Sequence, residues 1–489
     1  MKRRQLVNIH RWLGLIAGAW LLTLGITGIF LDHDDWRWLR QAEVPENWLS
    51  PSMMRYLPAT VMRYVAAHPA DINQWIGGSE RGLWITDNRG ATWSKLAFPN
   101  GEHPQILRLA KLNIDSVPRI IIATDDGIWA MHGFDGPIQR LALSGDFINM
   151  ISPGSDPHSI IGVKDFNQIF TIDLDAPNSI EMLNLDQPKV SGLPETITVY
   201  QFLFDLHFGY GLLSRKWSTL INDFGGLALI ILSTTGLLTW YLKRRWKRRK
   251  SPPTDHRKSI IASLYRCHAP VIGILGIIPI LYLSVTGIMF NHFLTFMEWG
   301  EAREVRREQL PPVWRYESLQ GEIDQVVTFP GAHERMLIST RYGVLVTDDG
   351  GASWSSEKAL GSQRGQLFRS GDHVFYSTNS RQFFVKADGD SDWRSMTGLP
   401  SIVYDAEFTD AGLFVKNSRG FFRDSGQFAF TIDPLEHPNL EAATWYLFMI
   451  DVHTGNIFHP QFRWISDALT LMGILIIVTG PILWWRRKW

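Results

Sequence analysis

Thr27-Gly28-Ile29-Phe30-Leu31-Asp32-His33 closes the first apolar segment of the chain, and Thr286-Gly287-Ile288-Met289-Phe290-Asn291-His292 closes the third. In both, a histidine follows the glycine by five residues. Working outward, His10 and His268 stand at the opposite ends of these two segments. Asp205-Leu206-His207 and Asp451-Val452-His453 each precede a further apolar segment. In those segments Asp223, Gly236 and Trp240 answer Asp467, Gly480 and Trp484 with identical spacing. An offset kept across two segments marks a duplication. The halves run in the same direction, which predicts two parallel repeats about an axis along a membrane normal.

Four stretches are nearly free of charge: 12–31, 221–242, 269–290 and 465–485. Each has roughly 20 residues, enough at about 1.5 Å per residue to cross a hydrocarbon core about 30 Å thick. The expected fold is therefore a membrane protein, a four-helix transmembrane bundle of two parallel repeats, with β-rich, propeller-like external regions. Lys2-Arg3-Arg4, the basic run 243–250 and Arg486-Arg487-Lys488 flank the segments. Positive charge at a span's end stays in the cytoplasm. Both termini are thus expected inside a bacterial inner membrane, and the two long polar stretches in the periplasm. The expected divisions are 1–33 (N-terminus and first span), 34–204 (β-rich), 205–242 (histidine segment and second span), 243–266 (basic loop), 267–292 (third span), 293–450 (β-rich) and 451–489 (histidine segment, fourth span and tail). The first segment is too long for the apolar part of a signal peptide and reads as a retained span.

Lys and Arg number 48, as do Asp and Glu, so the balance carries no nucleic-acid footprint. Cys267 is the only cysteine. That excludes an intramolecular disulfide, covalent Cys-x-x-Cys-His haem attachment and an iron–sulfur cluster on four of the chain's own cysteines. A haem here is b-type. No Rossmann fingerprint or P-loop is present, so flavin and nicotinamide are not expected on this chain.

The polar stretches carry short runs rich in Ile, Val, Phe and Trp, broken by Gly, Asp, Asn and Pro, which predicts strands. Gly82-Leu83-Trp84-Ile85-Thr86-Asp87-Asn88-Arg89-Gly90-Ala91-Thr92-Trp93 parallels Gly343-Val344-Leu345-Val346-Thr347-Asp348-Asp349-Gly350-Gly351-Ala352-Ser353-Trp354. Both resemble the Asp-box of propeller hairpins, with Asn88 in place of the aspartate. Degenerate copies are read at Thr124–Trp129 and around Gly412–Gly420. An Asp or Asn that closes a turn on backbone amides is structural, not catalytic. At roughly 40–45 residues per blade each stretch holds about three or four blades. Two small propellers and one shared propeller both fit.

Histidines at both ends of apolar segments are suited to hold haem iron. His10 and His268 are expected at one depth as one ligand pair, and His207 and His453 as the outer pair. His33 and His292 are the alternative outer ligands. Asp205 and Asp451, two residues before their histidines, are expected to orient an imidazole, as carboxylates behind metal ligands do. Gly209 and Gly455 are read as room for a flat macrocycle. Gly14, Gly18, Gly25, Gly28, Gly273, Gly276 and Gly287 permit close helix packing, and the same glycines are a second candidate source of room for porphyrin. His459 lacks a counterpart, and His256 lies in the basic loop. His10 and His33 are 23 residues apart, about 35 Å along a helix, which puts two haems near opposite faces.

His10-Arg11-Trp12-Leu13-Gly14-Leu15 and Asp205-Leu206-His207-Phe208-Gly209 resemble the "HRWLGL" and "LHFG" motifs of the PepSY-associated transmembrane helix family. The resemblance covers the four segments and their flanks. It implies an inner-membrane protein, some relatives being di-haem ferric-siderophore reductases. His10 and His207 match the motifs directly, and His268 and His453 through the internal repeat. Cys267-His268-Ala269-Pro270 and His453-Thr454-Gly455 depart from them. Asp-box hairpins stand where a PepSY domain is expected.

The expected function is a cytochrome with two b haems that reduces a ferric siderophore or another periplasmic acceptor, with membrane lipid around it and a cytoplasmic reductase or quinol as donor. The alternatives are a membrane-anchored binding or assembly module without redox activity, and a haem protein serving a periplasmic redox partner.

Overall fold

The computed structural model describes residues 3–488 except 34, 56–61, 116, 184, 186–187, 250–253, 269–271, 379–380, 400–401, 425–429 and 439–441. The chain forms two compact units, one of Met1–Met53, Phe202–Ala302 and Ala442–Trp489, the other of Met54–Gln201 and Arg303–Glu441.

The second unit is β-structure. Its first sheet runs Tyr64–Ala67, Trp75–Ser79, Gly82–Thr86 and Ser94–Leu96, each strand antiparallel to the last. Five more such four-stranded meanders begin at Ile106–Ile114, Ile148–Pro153, Ile323–Thr328, Gly365–Ser370 and Val403–Thr409. Each opening strand packs on that of the next sheet, and the last on the first. The two external stretches thus build one six-bladed propeller, three blades from each. Runs such as Ile120-Ile121-Ile122 are fully buried because a central strand is covered on both faces. Lys189–Ser191 extends the fourth blade, pairing in parallel with Ser353–Ser356. That strand ties the first half of the chain to the second.

Both full Asp-boxes lie between the third and fourth strands of a blade. Asn88 Oδ1 accepts from the Thr92 amide at 2.9 Å, and Asp349 Oδ1 from the Ser353 amide at 2.9 Å. Gly90 and Gly351 take positive φ, 84° and 97°, where a side chain would be strained. The structural reading of these residues stands. The degenerate copies do not: Thr124-Asp125-Asp126-Gly127 and Gly412–Gly420 fall at second-strand hairpins.

The first unit is mainly helical: α1 (Arg3–Asp32), α2 (Val199–His207, which starts in the other unit), α3 (Arg215–Arg248), α4 (Asp255–Arg266), α5 (Ile277–Asn291), α6 (Phe293–Glu301), α7 (Trp445–Thr454) and α8 (Phe462–Lys488). α1 packs against α3 and α8. A Cβ on Gly25 would stand 2.8 Å from the Gly226 carbonyl oxygen, so this crossing needs glycine. Ile16, Ile278 and Leu475 are at least half exposed, an apolar surface suited to lipid.

The four-helix transmembrane bundle is corrected. The molecule is β-rich, and among the described residues three helices are long and apolar enough to cross a membrane: Arg3–Asp32, Arg215–Arg248 and Phe462–Leu483. The expected third span is broken. After the undescribed 269–271 comes one turn, Ile272–Leu275, and then α5. Pro279 has no N–H for the Leu275 carbonyl and its ring opposes it, and the break falls there, at Gly276. At the other end His292 leaves helical geometry (φ −114°, ψ 45°) and α6 departs at 105°. The 15 residues of α5 cover about 22 Å, short of a hydrocarbon core.

Candidate functional site

Four histidines of the helical unit share one local arrangement. Each ring presents Nδ1 to a threonine hydroxyl on another helix. His10 (α1) lies 3.1 Å from Thr479 Oγ1 (α8), and His268, just after α4, lies 2.9 Å from Thr235 Oγ1 (α3). His207, the last residue of α2, lies 2.8 Å from Thr286 Oγ1 (α5), and His453 (α7) lies 2.7 Å from Thr27 Oγ1 (α1).

Each hydroxyl also reaches the carbonyl four residues earlier in its own helix. These contacts are 2.8 Å to Leu475, 2.6 Å to Ile231, 2.7 Å to Tyr282 and 2.8 Å to Thr23. A hydroxyl has one hydrogen and two lone pairs, and a carbonyl only accepts. With its hydrogen on the carbonyl, the threonine accepts from Nδ1–H. Nε2 then carries the lone pair, and it has no hydrogen bond among the described residues.

A glycine follows each threonine. A Cβ on Gly28, Gly287 or Gly480 would lie 3.7 Å from the facing imidazole Cε1, with no other described atom within 4 Å. On Gly236 it would meet only His268, at 3.4 Å. These positions are open slots, unlike Gly25, Gly225 and Gly473, where a Cβ would come within 2.9 Å of a neighbouring helix.

The histidines fall into two groups. The His10 and His268 rings are perpendicular (88°) with centroids 6.2 Å apart. Two metal–imidazole bonds of about 2 Å each, with the ring radii added, separate centroids by roughly 6 Å. His207 and His453 neighbour each other at the far end of α1. Burial, and then the charge of His453, push His207 down to about 3, and burial pushes His453 down to about 4. Both are neutral near pH 7, the ligating form. Among the described residues no three His, Cys, Asp or Glu side chains converge on a metal. An imidazole with Nδ1 held and Nε2 without a partner is suited to ligate an iron whose other four ligands come from a porphyrin, and the glycine slots leave room beside the four rings.

His33 and His292 are placed differently. His33 Nε2 meets Asp223 Oδ2 at 3.0 Å and its ring stacks on Trp36. His292 Nε2 meets Asp467 Oδ2 at 2.7 Å beside Trp464. Their Nε2 atoms are taken by carboxylates that tie α1 to α3 and α5 to α8. His459 bonds the Gln461 amide through Nδ1, and His256 is exposed in α4.

The aspartates also depart from expectation. Asp451 is fully buried, but its carboxylate accepts from the amide and hydroxyl of Ser50 at 2.6 and 2.7 Å. Asp205 is equally buried, and threonines hold the Nδ1 atoms of both following histidines. Gly209 and Gly455 take left-handed φ, 74° and 75°, and turn the chain after α2 and α7. Their role is a helix end rather than macrocycle clearance. The threonines escaped sequence reading because Thr in an apolar helix reads as a hydroxyl bonded to its own backbone.

The sequence pattern of the PepSY-associated TM region matches residues 169–487. No curated protein matches the chain. Solved structures with similarity include an ancestral GH74 enzyme, at 10% identity and TM-score 0.31 over 80% of this chain. The chain spans only 39% of that enzyme's length. YCF48 from Cyanidioschyzon merolae is similar at 10% identity and TM-score 0.34, over 77% of this chain and 85% of its own. Similarities this low carry nothing about activity.

Proposed function

The chain belongs to the PepSY-associated TM region family, and from that premise we propose a membrane b-type cytochrome that delivers electrons to a ferric chelate outside the membrane, a ferric siderophore being the leading substrate class. The observation that carries this reading is the set of four imidazoles, in two groups, with Nδ1 held and Nε2 bare. His10 and His268 would hold one haem and His207 and His453 the other, and each haem would supply one-electron transfer. An iron held by two of these imidazoles would favour electron transfer over oxygen chemistry. His10 and Thr27 are 17 residues apart on α1, about 25 Å, so the two groups lie near opposite ends of that helix.

Basic runs at Arg3-Arg4, 243–250 and 486–488 favour a cytoplasmic location for both ends of the chain and for the loop. The β-rich unit is then periplasmic in a bacterial inner membrane. Electrons enter near His10 from a cytoplasmic reductase or from quinol and leave near His207. One electron converts the ferric iron of the substrate to ferrous iron, which hard oxygen ligands hold less tightly. A haem protein serving a periplasmic redox partner keeps the same four ligands and changes only the acceptor. A binding or assembly module is the rival that the closed propeller favours, and it predicts a haem-free protein.

The test is the reduced-minus-oxidised spectrum of the detergent-purified chain with a pyridine haemochrome count. Two b haems per chain are expected. None, from cells supplied with haem, would overturn the cytochrome reading.

A further inference from the structure

We infer that Thr27, Thr235, Thr286 and Thr479 are positioning residues that fix the tautomer and tune the donor strength of the four imidazoles. The inference rests on the haem reading for its consequence but on hydrogen-bond geometry for its basis. In neutral imidazole one nitrogen carries the proton, and the partner of the other decides which nitrogen is free to ligate. An acceptor that could also donate, such as a freely rotating hydroxyl, would leave both tautomers open. Here each hydroxyl is committed to the helix carbonyl one turn back, at 2.6–2.8 Å. Its remaining lone pairs can only accept.

The helix thus uses its own carbonyl to orient the threonine, and the threonine to orient the histidine. A hydroxyl is a weaker acceptor than a carboxylate. It holds Nδ1–H without drawing the ring toward imidazolate, so the imidazole remains a moderate donor. Acceptors behind a metal-bound histidine raise its basicity, and a more basic ligand favours ferric iron. Within the chain, His33 and His292 show the contrast: their partners are Asp223 and Asp467.

The experiment uses the full-length haem-loaded protein and the variants Thr286→Val, Thr286→Ser and Thr286→Asp at one group and Thr479→Val at the other. Valine keeps the shape and removes the acceptor. Thr23→Val is the control, because Thr23 back-bonds to the Ala19 carbonyl and holds no histidine. Thr286→Val is expected to raise the midpoint potential of one haem, with about a tenfold change in its ferric–ferrous equilibrium, about 59 mV for one electron. Ser restores the wild-type value, Asp lowers the potential, and Thr479→Val moves the other haem. Loss of one haem in the Val variant with recovery in Ser supports the same assignment. Wild-type potentials and haem content in Thr286→Val and Thr479→Val would overturn it.

Nitrogen-15 NMR of histidine-labelled, haem-depleted full chain separates this inference from the cytochrome reading. Nδ1-protonated rings that lose that signature in the Val variants sustain the tautomer lock even if the wild-type chain proves haem-free. Nε2-protonated rings in the wild type would overturn the lock even if two haems are present.

Discussion

In the propeller Arg108 meets Asp405 at 2.7 Å and Arg341 meets Glu322 at 2.9 Å, both pairs buried, and the half-buried Arg364 meets Asp324 at 2.6 Å. In the helical unit His10, His207, His268 and His453 each have one nitrogen engaged and one with no hydrogen bond among the described residues. The first region closes these charges on each other, as burial requires. The second keeps four lone pairs in reserve within an apolar setting. Four open nitrogens with the same supporting residues are what the proposed ligand role requires.

The largest effect should come from removing a reserved imidazole. His10→Ala or His207→Ala is expected to halve the haem per chain in a haemochrome assay, whereas His33→Ala leaves it near wild type. Equal losses from all three would erase the distinction between the two kinds of histidine.

On the propeller side, Asp405→Ala leaves Arg108 buried without its partner. It should destabilise the β unit by about 3–5 kcal/mol, read by calorimetry, with the haem spectrum unchanged.

The glycines sharpen the comparison within the helices. Gly480→Leu fills an open slot and should deplete one haem while the helices stay assembled. Gly25→Ala collides with the Gly226 carbonyl and should lower stability by about 1–3 kcal/mol, with haem stoichiometry kept.

An effect that depends on pH is expected at Lys416, a fully buried lysine whose Nζ donates to the Asn417 carbonyl at 2.6 Å. Burial, and then Arg63, push its ammonium down to about 7. Above its ordinary value of 10.5 the amine is neutral folded or unfolded. Between 10.5 and about 7 the unfolded chain binds more protons, so the fold loses stability as pH falls. Lys416→Met should therefore stabilise the propeller at pH 7, and the gain should shrink as pH rises toward 10.5. A gain independent of pH would show that the charge is not the cause.

Much of this architecture is legible in the chain. Three of the four apolar stretches, 12–31, 221–242 and 465–485, lie in continuous helices, the last in spite of Pro481. The Asp-boxes read correctly as turns because Thr86-Asn88-Gly90 and Thr347-Asp349-Gly351 act on residues a few positions away. The 269–290 stretch failed as one continuous span because Pro279 leaves the Leu275 carbonyl without its helical partner and the helix breaks at Gly276. The propeller's closure and the threonine partners were not legible, since both depend on contacts between distant residues. Thr27 reaches His453 across 426 positions, and no local pattern announces that meeting. The degenerate Asp-boxes misled because Thr, Asp and Gly also serve second-strand hairpins.

The ring of blades imposes an order on biogenesis. Its third blade ends with Ile180–Leu183 and its sixth with Phe430–Ile432. At about 5–20 residues per second of synthesis, the first three blades wait for tens of seconds before their partners exist. Through that interval the opening strands of blades one and three lack a neighbouring blade on one flank, an exposure that invites wrong association. A cell making this protein must shelter half a propeller at the membrane while the ribosome finishes the other half.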